Sequence, residues 1–180
     1  MIEVGTHAPE FEADGLRDQR VRLSARRGTI VWLAFFRFAS CPLCNYRVHE
    51  MVERWEEFAE RDFQLLAVFQ SPAERLREFV AKQSPPFELI ADPEMAIYDL
   101  YGLGSSVSAA LSANVMAKGM KAAFTSGIRL LALPDGPATR VPADFFIDRR
   151  GVVRESYLGK DIADHVPLEQ ADAFLRSQGV

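Results

Sequence analysis

Phe35-Phe36-Arg37-Phe38-Ala39-Ser40-Cys41-Pro42-Leu43-Cys44-Asn45 decides how this chain folds. Upstream of it, Thr29 to Phe36 is an unbroken apolar run of mostly β-branched or aromatic residues. Such a run predicts a strand buried on both faces, the kind found in the middle of a sheet with helices over it. Downstream, Val48, Met51, Val52, Trp55, Phe58 and Ala59 recur at spacings of three and four among Glu50, Glu53, Arg54, Glu56 and Glu57. That period predicts an amphipathic helix from about Cys44 to Glu60. The chain's two cysteines, Cys41 and Cys44, therefore fall at a strand-to-helix junction.

That position favours thiol chemistry. The thiolate is the reactive form, and an ordinary cysteine at neutral pH supplies only a few per cent of it. Unpaired N–H groups and the dipole at a helix start stabilise the anion. Cys41, just before Pro42, is placed at or near the N-cap, and Cys44 lies about one turn inside. A spacing of three puts both sulfurs on one side of a helix, within reach of a Cys41–Cys44 disulfide. Arg37 is placed to add positive charge. A buried, inert cysteine is the simpler reading for one thiol, but a proline-flanked pair at this junction points to redox chemistry. His7, His49 and His165 complete a poor zinc inventory, since a second closely spaced ligand pair is missing. No metal or cofactor is expected. His49 reads as a surface or helix-packing residue, and Asp144 as an edge-facing strand carboxylate.

The 180 residues suit one domain, with a formal net charge of −4 and both signs interspersed. No basic face for nucleic acid, signal-like start or membrane-length apolar run is evident, so a cytoplasmic protein is expected. In a reducing compartment, close cysteines are more often catalytic than structural. Ala8 to Phe11 and Val21 to Leu23 predict an N-terminal hairpin. Phe63 to Phe69 predicts a strand; Ala73 to Gln83 predicts a helix capped by Ser71 with Pro72 in its first turn. Phe87 to Ile90 predicts a short strand, and Met95 to Tyr101 one or two helical turns. Residues 102–127 are rich in small residues and predict a helical insert within the domain, a candidate dimer contact. Ala143 to Asp148 and Val152 to Leu158 predict an antiparallel hairpin, and Leu168 to Ser177 a final helix between Pro167 and Gly179. The class is α/β, with a central mixed sheet flanked by helices.

Strand, Cys41-Pro42-Leu43-Cys44, helix, and downstream Val141-Pro142-Ala143-Asp144-Phe145-Phe146-Ile147-Asp148-Arg149-Arg150-Gly151 resemble the thioredoxin fold. Val4-Gly5-Thr6-His7-Ala8-Pro9-Glu10-Phe11 is similar to the start of peroxiredoxins of the alkyl hydroperoxide reductase and thiol-specific antioxidant superfamily. Phe36 to Asn45 is most similar to its divergent peroxiredoxin-like group. The resemblance implies a thiol-dependent oxidoreductase in which Cys41 and Cys44 reduce peroxides, regenerated by an external thiol such as thioredoxin or glutathione. It also implies a cis Val141–Pro142 peptide against the active disulfide, and an arginine beside the reactive sulfur, either Arg140 or Arg37. One departure stands out. The family pattern has proline, three residues, threonine or serine, two residues, then the peroxide-attacking cysteine. Counting back from Cys44 gives Cys41 and Arg37 in those slots; counting back from Cys41 gives Phe38 and Ala34. The thioredoxin-like register makes Cys41 the attacking thiol, and the peroxiredoxin register makes it Cys44. Thioredoxin-like disulfide exchange is thus an alternative activity, and a non-catalytic thioredoxin-fold binding module, dimeric through the insert, is an alternative of another class.

Overall fold

The strand ahead of the cysteines is the centre of the molecule. In the computed structural model, which describes residues 2–17, 20–104, 122, 133–134, 136–137 and 139–179, it is β3 (Ile30–Phe35), buried along its whole length. β4 (Phe63–Phe69) lies parallel on one side of it, followed by the parallel β5 (Glu88–Ala91). On the other side β6 (Ala143–Ile147) and then β7 (Val153–Leu158) run antiparallel. The order β5-β4-β3-β6-β7 makes a mixed five-stranded sheet.

Alternation along β3 divides the core in two. Ile30, Trp32, Ala34 and then Phe36 face one layer, with Val48, Met51, Leu76, Phe79, Ala171, Phe174 and Leu175. Val31, Leu33 and Phe35 face the other, with Phe11, Val21, Leu23, Ile97, Tyr98 and Tyr101. Successive strand side chains point to opposite faces, so a run with no polar residue needs cover on both. The first layer is supplied by α1 (Pro42–Glu53), α3 (Ala73–Phe79) and α5 (Leu168–Ser177). The second comes from α4 (Ala96–Leu100) and the N-terminal segment, where β1 (Glu12–Ala13) pairs antiparallel with β2 (Val21–Arg22).

Several expectations shift. The first hairpin strand is Glu12–Ala13, after the Ala8–Phe11 segment, whose Ala8 and Phe11 are buried as core instead. The helix after the cysteines begins at Pro42 and stops at Glu53; α2 (Glu56–Ala59) is a separate turn. The apolar period continues through the break, but Trp55 turns against Phe63 and Phe87, at 5.6 and 5.5 Å. The side chain of Arg54 bonds Glu57 and Glu169 at the bend. Helix α3 has no side-chain cap at Pro72, because Ser71 is engaged elsewhere, and the chain continues as a 3₁₀ turn over Ala81–Gln83. In the β6–β7 turn, Asp148 accepts from the N–H groups of Arg150 and Val152, both at 2.9 Å. Gly151 sits there at φ 80°, where a side chain would be strained. Among the described residues no peptide bond is cis, so Val141–Pro142 is trans, a correction to the expectation above. Trans is the lower-energy isomer by about 0.5–1 kcal/mol, and the Pro142 carbonyl accepts the Gly159 N–H at 2.9 Å. The predicted insert, apart from 102–104 and 122, lies outside the described residues, as does most of 128–133.

Candidate active site

Cys41 is the N-cap of α1, with Pro42 at the first helical position, and its sulfur accepts the Cys44 N–H at 3.4 Å. Pro lacks an N–H and has a fixed φ, which suits it to that slot. The strand-to-helix turn is held by side chains beneath it. Asn45 Nδ2 donates to the carbonyls of Ala39 (2.7 Å) and Cys41 (2.9 Å), and Gln83 Nε2 lies 3.2 Å from the Asn45 carbonyl and from Asn45 Oδ1. The Ser71 hydroxyl oxygen accepts the Ala39 N–H at 2.7 Å, which explains why it does not cap α3. The Gln70 N–H donates to the Arg37 carbonyl at 3.0 Å. Ser40 Oγ donates to the Leu133 carbonyl at 3.0 Å, and the Tyr98 hydroxyl lies between the carbonyls of Phe36 and Val68, at 2.7 and 2.9 Å. The loop Phe36–Cys41 is therefore fastened to the ends of β3 and β4, to α1 and to α4.

Both cysteines are free thiols and only 1% exposed, yet the surroundings split them. Burial opposes a Cys41 anion, but a hydrogen bond from the Cys44 thiol, the Arg37 charge and the backbone N–H groups of Cys44 and Leu43 outweigh it, bringing its pKa down to about 7. Cys44 is pushed up, first by burial and then by its hydrogen bond and charge interaction with Cys41. At neutral pH one sulfur is substantially thiolate, and its neighbour is the protonated donor that stabilises it.

The remaining candidates divide. Arg37, 4% exposed, has its guanidinium 5.1 Å from the Phe38 ring centre and acts electrostatically on both sulfurs. Arg140 is also buried but turns elsewhere: it donates to the Leu103 carbonyl, lies 3.3 Å from Met95 Sδ and sits 5.2 Å over the Tyr98 ring. Val141, beside Pro142, packs with Ile162 and Leu43, which brings the Pro142 segment to the cysteine motif.

Asp144 needs the clearest correction. It is not edge-facing: β6 lies between β3 and β7, and the carboxylate is 1% exposed. Trp32 Nε1 donates to Oδ1 at 2.8 Å, the Val166 N–H to Oδ2 at 3.2 Å, and His165 Nδ1 is 3.9 Å from Oδ2. Burial raises its pKa to about 6 against the pull of Arg47, Trp32 and Val166. Arg47 is itself buried and donates to the Val166 carbonyl at 2.6 Å. A cleft of about 590 Å³ opens beside this group, lined by Arg47, His49, His165 and Glu50 among others; neither cysteine lines it. Sequence reasoning also missed Asn45, Gln70, Ser71, Gln83 and Tyr98. Asn45, next to Cys44 in the motif, carried a local signal for this role, a polar residue one turn into a buried helix start, whereas the signal at Ser71 pointed to capping α3.

The fold and the helix-capping dithiol together define a thioredoxin-fold protein of peroxiredoxin type. The AhpC/TSA family profile matches residues 4–156, and the chain belongs to that family. Peroxiredoxin Bcp of Bacillus subtilis is 29% identical over 100 residues, 56% of this chain and 64% of that relative, so the chain spans under two thirds of its length. Among solved structures, peroxidoxin BcpB of Mycobacterium tuberculosis superposes with TM-score 0.71 at 18% identity, over 98% of each chain. PrxQ of Xylella fastidiosa does so with TM-score 0.72 at 13% identity, over 100% of this chain and 99% of its own. Among the described residues no helix is long and apolar enough to cross a membrane.

Proposed function

We propose that the chain is a thiol-dependent peroxide-reducing oxidoreductase, with Cys41 as the attacking thiolate and Cys44 as the resolving thiol. The observation that carries this reading is the opposite displacement of two thiols in one helical turn, Cys41 down to about 7 and Cys44 up. It also favours the thioredoxin-like register, in which the first cysteine attacks. In the first step the Cys41 sulfur attacks the terminal peroxide oxygen, the O–O bond breaks, and the alcohol or water leaves with a proton. Cys41 is then a sulfenic acid. The Cys44 sulfur displaces its hydroxyl, water leaves, and the Cys41–Cys44 disulfide forms. Two equivalents of an external thiol, of the thioredoxin or glutathione kind, return the pair to dithiol. The pinned loop keeps Cys41 in its cap position, and the 1% exposure of both cysteines means that a substrate must displace neighbouring groups to reach the sulfur. A cytoplasmic setting agrees with a dithiol kept reduced.

Disulfide exchange is the second reading, favoured by the intact dithiol and by Phe38 standing where the family pattern has threonine or serine ahead of Cys41. Stopped-flow loss of free thiols after mixing reduced protein with hydrogen peroxide separates the two. The expected rate exceeds that of free cysteine by at least tenfold and is abolished by Cys41→Ser. Cys44→Ser keeps the first step, stops disulfide formation and leaves a sulfenic acid that dimedone labels. Peroxide-driven thiol loss no faster than for free cysteine would leave disulfide exchange as the activity.

A further inference from the structure

The threonine or serine hydroxyl of the family pattern is absent ahead of Cys41, and a buried polar side chain beside the cysteine loop has no hydrogen-bond partner among the described residues. Gln70 follows β4 directly and is 2% exposed, and among the described residues neither its Nε2 nor its Oε1 makes a hydrogen bond. Buried polar atoms are nearly always paired, and leaving them unpaired is costly. A buried amide with both ends unpaired among the described residues therefore calls for an occupant.

Its position says which reaction the occupant belongs to. The Gln70 N–H bonds the Arg37 carbonyl and the next residue, Ser71, bonds the Ala39 N–H, so 70–71 are stitched to the loop that delivers Cys41. Gly136 packs close to the same side chain, and even a Cβ there would come within 3.3 Å of Gln70 Oε1. The nearby Leu133 carbonyl holds Ser40. The amide thus lies against Gly136, beside the cysteine loop and at the carboxyl end of a parallel strand, where open α/β sheets place their ligands.

We propose that the Gln70 carboxamide receives the O–O–H head of a hydroperoxide substrate, in place of the missing hydroxyl. This rests on the peroxidase reading above and deepens it. A hydroperoxide has one O–H donor and two adjacent acceptor oxygens; a carboxamide has one acceptor and two donors. Oε1 accepts the peroxide proton and Nε2 donates to an oxygen, so both orphaned groups are satisfied at once. A disulfide offers no donor and leaves Oε1 unpaired, and a carboxylate sets negative charge against it.

The test is Gln70→Met, similar in volume and without polar atoms. Its second-order rate with tert-butyl hydroperoxide is expected to fall about tenfold to a hundredfold, the range for losing hydrogen bonds to a bound group. Its rate with an aromatic disulfide such as 5,5′-dithiobis(2-nitrobenzoate) should stay within about twofold of the unaltered protein. Its urea midpoint is expected to be equal or higher, because an unpaired buried amide has been removed without stranding a partner. An unchanged hydroperoxide rate overturns the proposal, as does a fall shared by the disulfide. So does a lower urea midpoint, which would show that the amide serves a structural partner such as a fixed water. Gln70→Glu is the second variant, which serves if the Met variant does not fold. Protonated, the introduced carboxyl again pairs a donor with an acceptor, so the ratio of hydroperoxide rate to disulfide rate should recover as pH falls; a flat ratio overturns the proposal. If the unaltered protein exchanges with the disulfide but ignores the hydroperoxide, the peroxidase reading itself fails and takes this inference with it. That outcome is read from the unaltered protein alone.

Discussion

Two buried acids lie on the same side of the sheet, and the protein treats them in opposite ways. Cys41 and Asp144 are each 1% exposed and each receives hydrogen bonds. Cys41 falls to about 7 and Asp144 rises to about 6. Burial opposes both anions and is the largest influence on each. For the thiol, a helix start, a neighbouring thiol and Arg37 overcome it. For the carboxylate, an indole N–H, one backbone N–H and Arg47, itself desolvated, do not. Burial alone thus does not decide whether a site is reactive; the donors placed around the anion do. By this measure the cysteine turn is built to hold charge, and the Asp144 group to join elements.

The strongest way to break that contrast is to remove the carboxylate. Asp144→Leu strands the Trp32 indole N–H and the Val166 N–H, and takes away the acid beside Arg47 and His165. The expected loss of unfolding free energy is about 3–5 kcal/mol, typical of breaking a buried charged pair, read from urea unfolding. Asp144→Asn keeps one acceptor and should cost about 1–2 kcal/mol. Neither substitution should alter the titration of Cys41 appreciably, because Asp144 is not among the main influences on Cys41, nor Cys41 among those on Asp144. A Cys41 midpoint that moved with Asp144→Asn would merge the two regions into one site.

The pH dependence of stability sharpens the contrast next. The folded-state pKa of Asp144 lies near 6, above the ordinary value of 3.8, so between those values the folded protein binds the proton more tightly than the unfolded chain. Its contribution to stability is therefore fully present below about pH 4 and is lost as pH rises through about 6. At about 1.4 kcal/mol per pH unit the difference amounts to roughly 3 kcal/mol. Measured against Asp144→Asn, the unaltered protein should gain relative stability as pH is lowered from 7 to 4. A difference that is flat over this window would mean that the carboxylate is ionised throughout. Trp32 fluorescence, quenched or shifted as its acceptor protonates, gives an independent readout.

This contrast was only half legible in the sequence. The cysteine turn was, because its determinants are local: an apolar run, two cysteines three apart and Pro42 between them fix strand, cap and helix within a dozen residues. β3, β4, the β6–β7 hairpin and α5 were legible for the same reason, each having its own period and stop signal. The Asp144 group was not, because its partners Trp32, Arg47 and Val166 come from β3, α1 and the segment before α5, distant in sequence from one another. Reading Asp144 as an edge-facing residue followed from seeing one strand without its neighbours. Ser71 carried a proper capping signal, but a tertiary contact with Ala39 claimed its hydroxyl. Trp55 likewise had the right spacing to continue a helix, and Phe63 and Phe87 drew it out of line. Gln70 showed nothing in the sequence, since an unpartnered amide is defined only by what surrounds it.

The smallest expected effect tests how the cysteine turn holds its charge. Among the influences that lower Cys41, the hydrogen bond from the Cys44 thiol ranks ahead of Arg37, and the backbone N–H groups follow. Cys44→Ala should therefore raise the Cys41 midpoint more than Arg37→Gln does, each by about one pH unit or less, measured by thiolate absorbance at 240 nm or by iodoacetamide alkylation against pH. Both variants keep Cys41 at the N-cap with its backbone donors, so neither should restore the full value of an isolated thiol. In Arg37→Gln the order of the two cysteines should also persist, because Cys44 is held up by burial and by Cys41 rather than by Arg37, which lowers it. If Arg37→Gln had the larger effect, the site would run on a fixed charge, and the second cysteine would serve only to close the disulfide. If Cys44→Ala had the larger effect, the resolving thiol also sets the reactivity of its partner. Forming the Cys41–Cys44 bond would then remove the donor and the nucleophile in the same step.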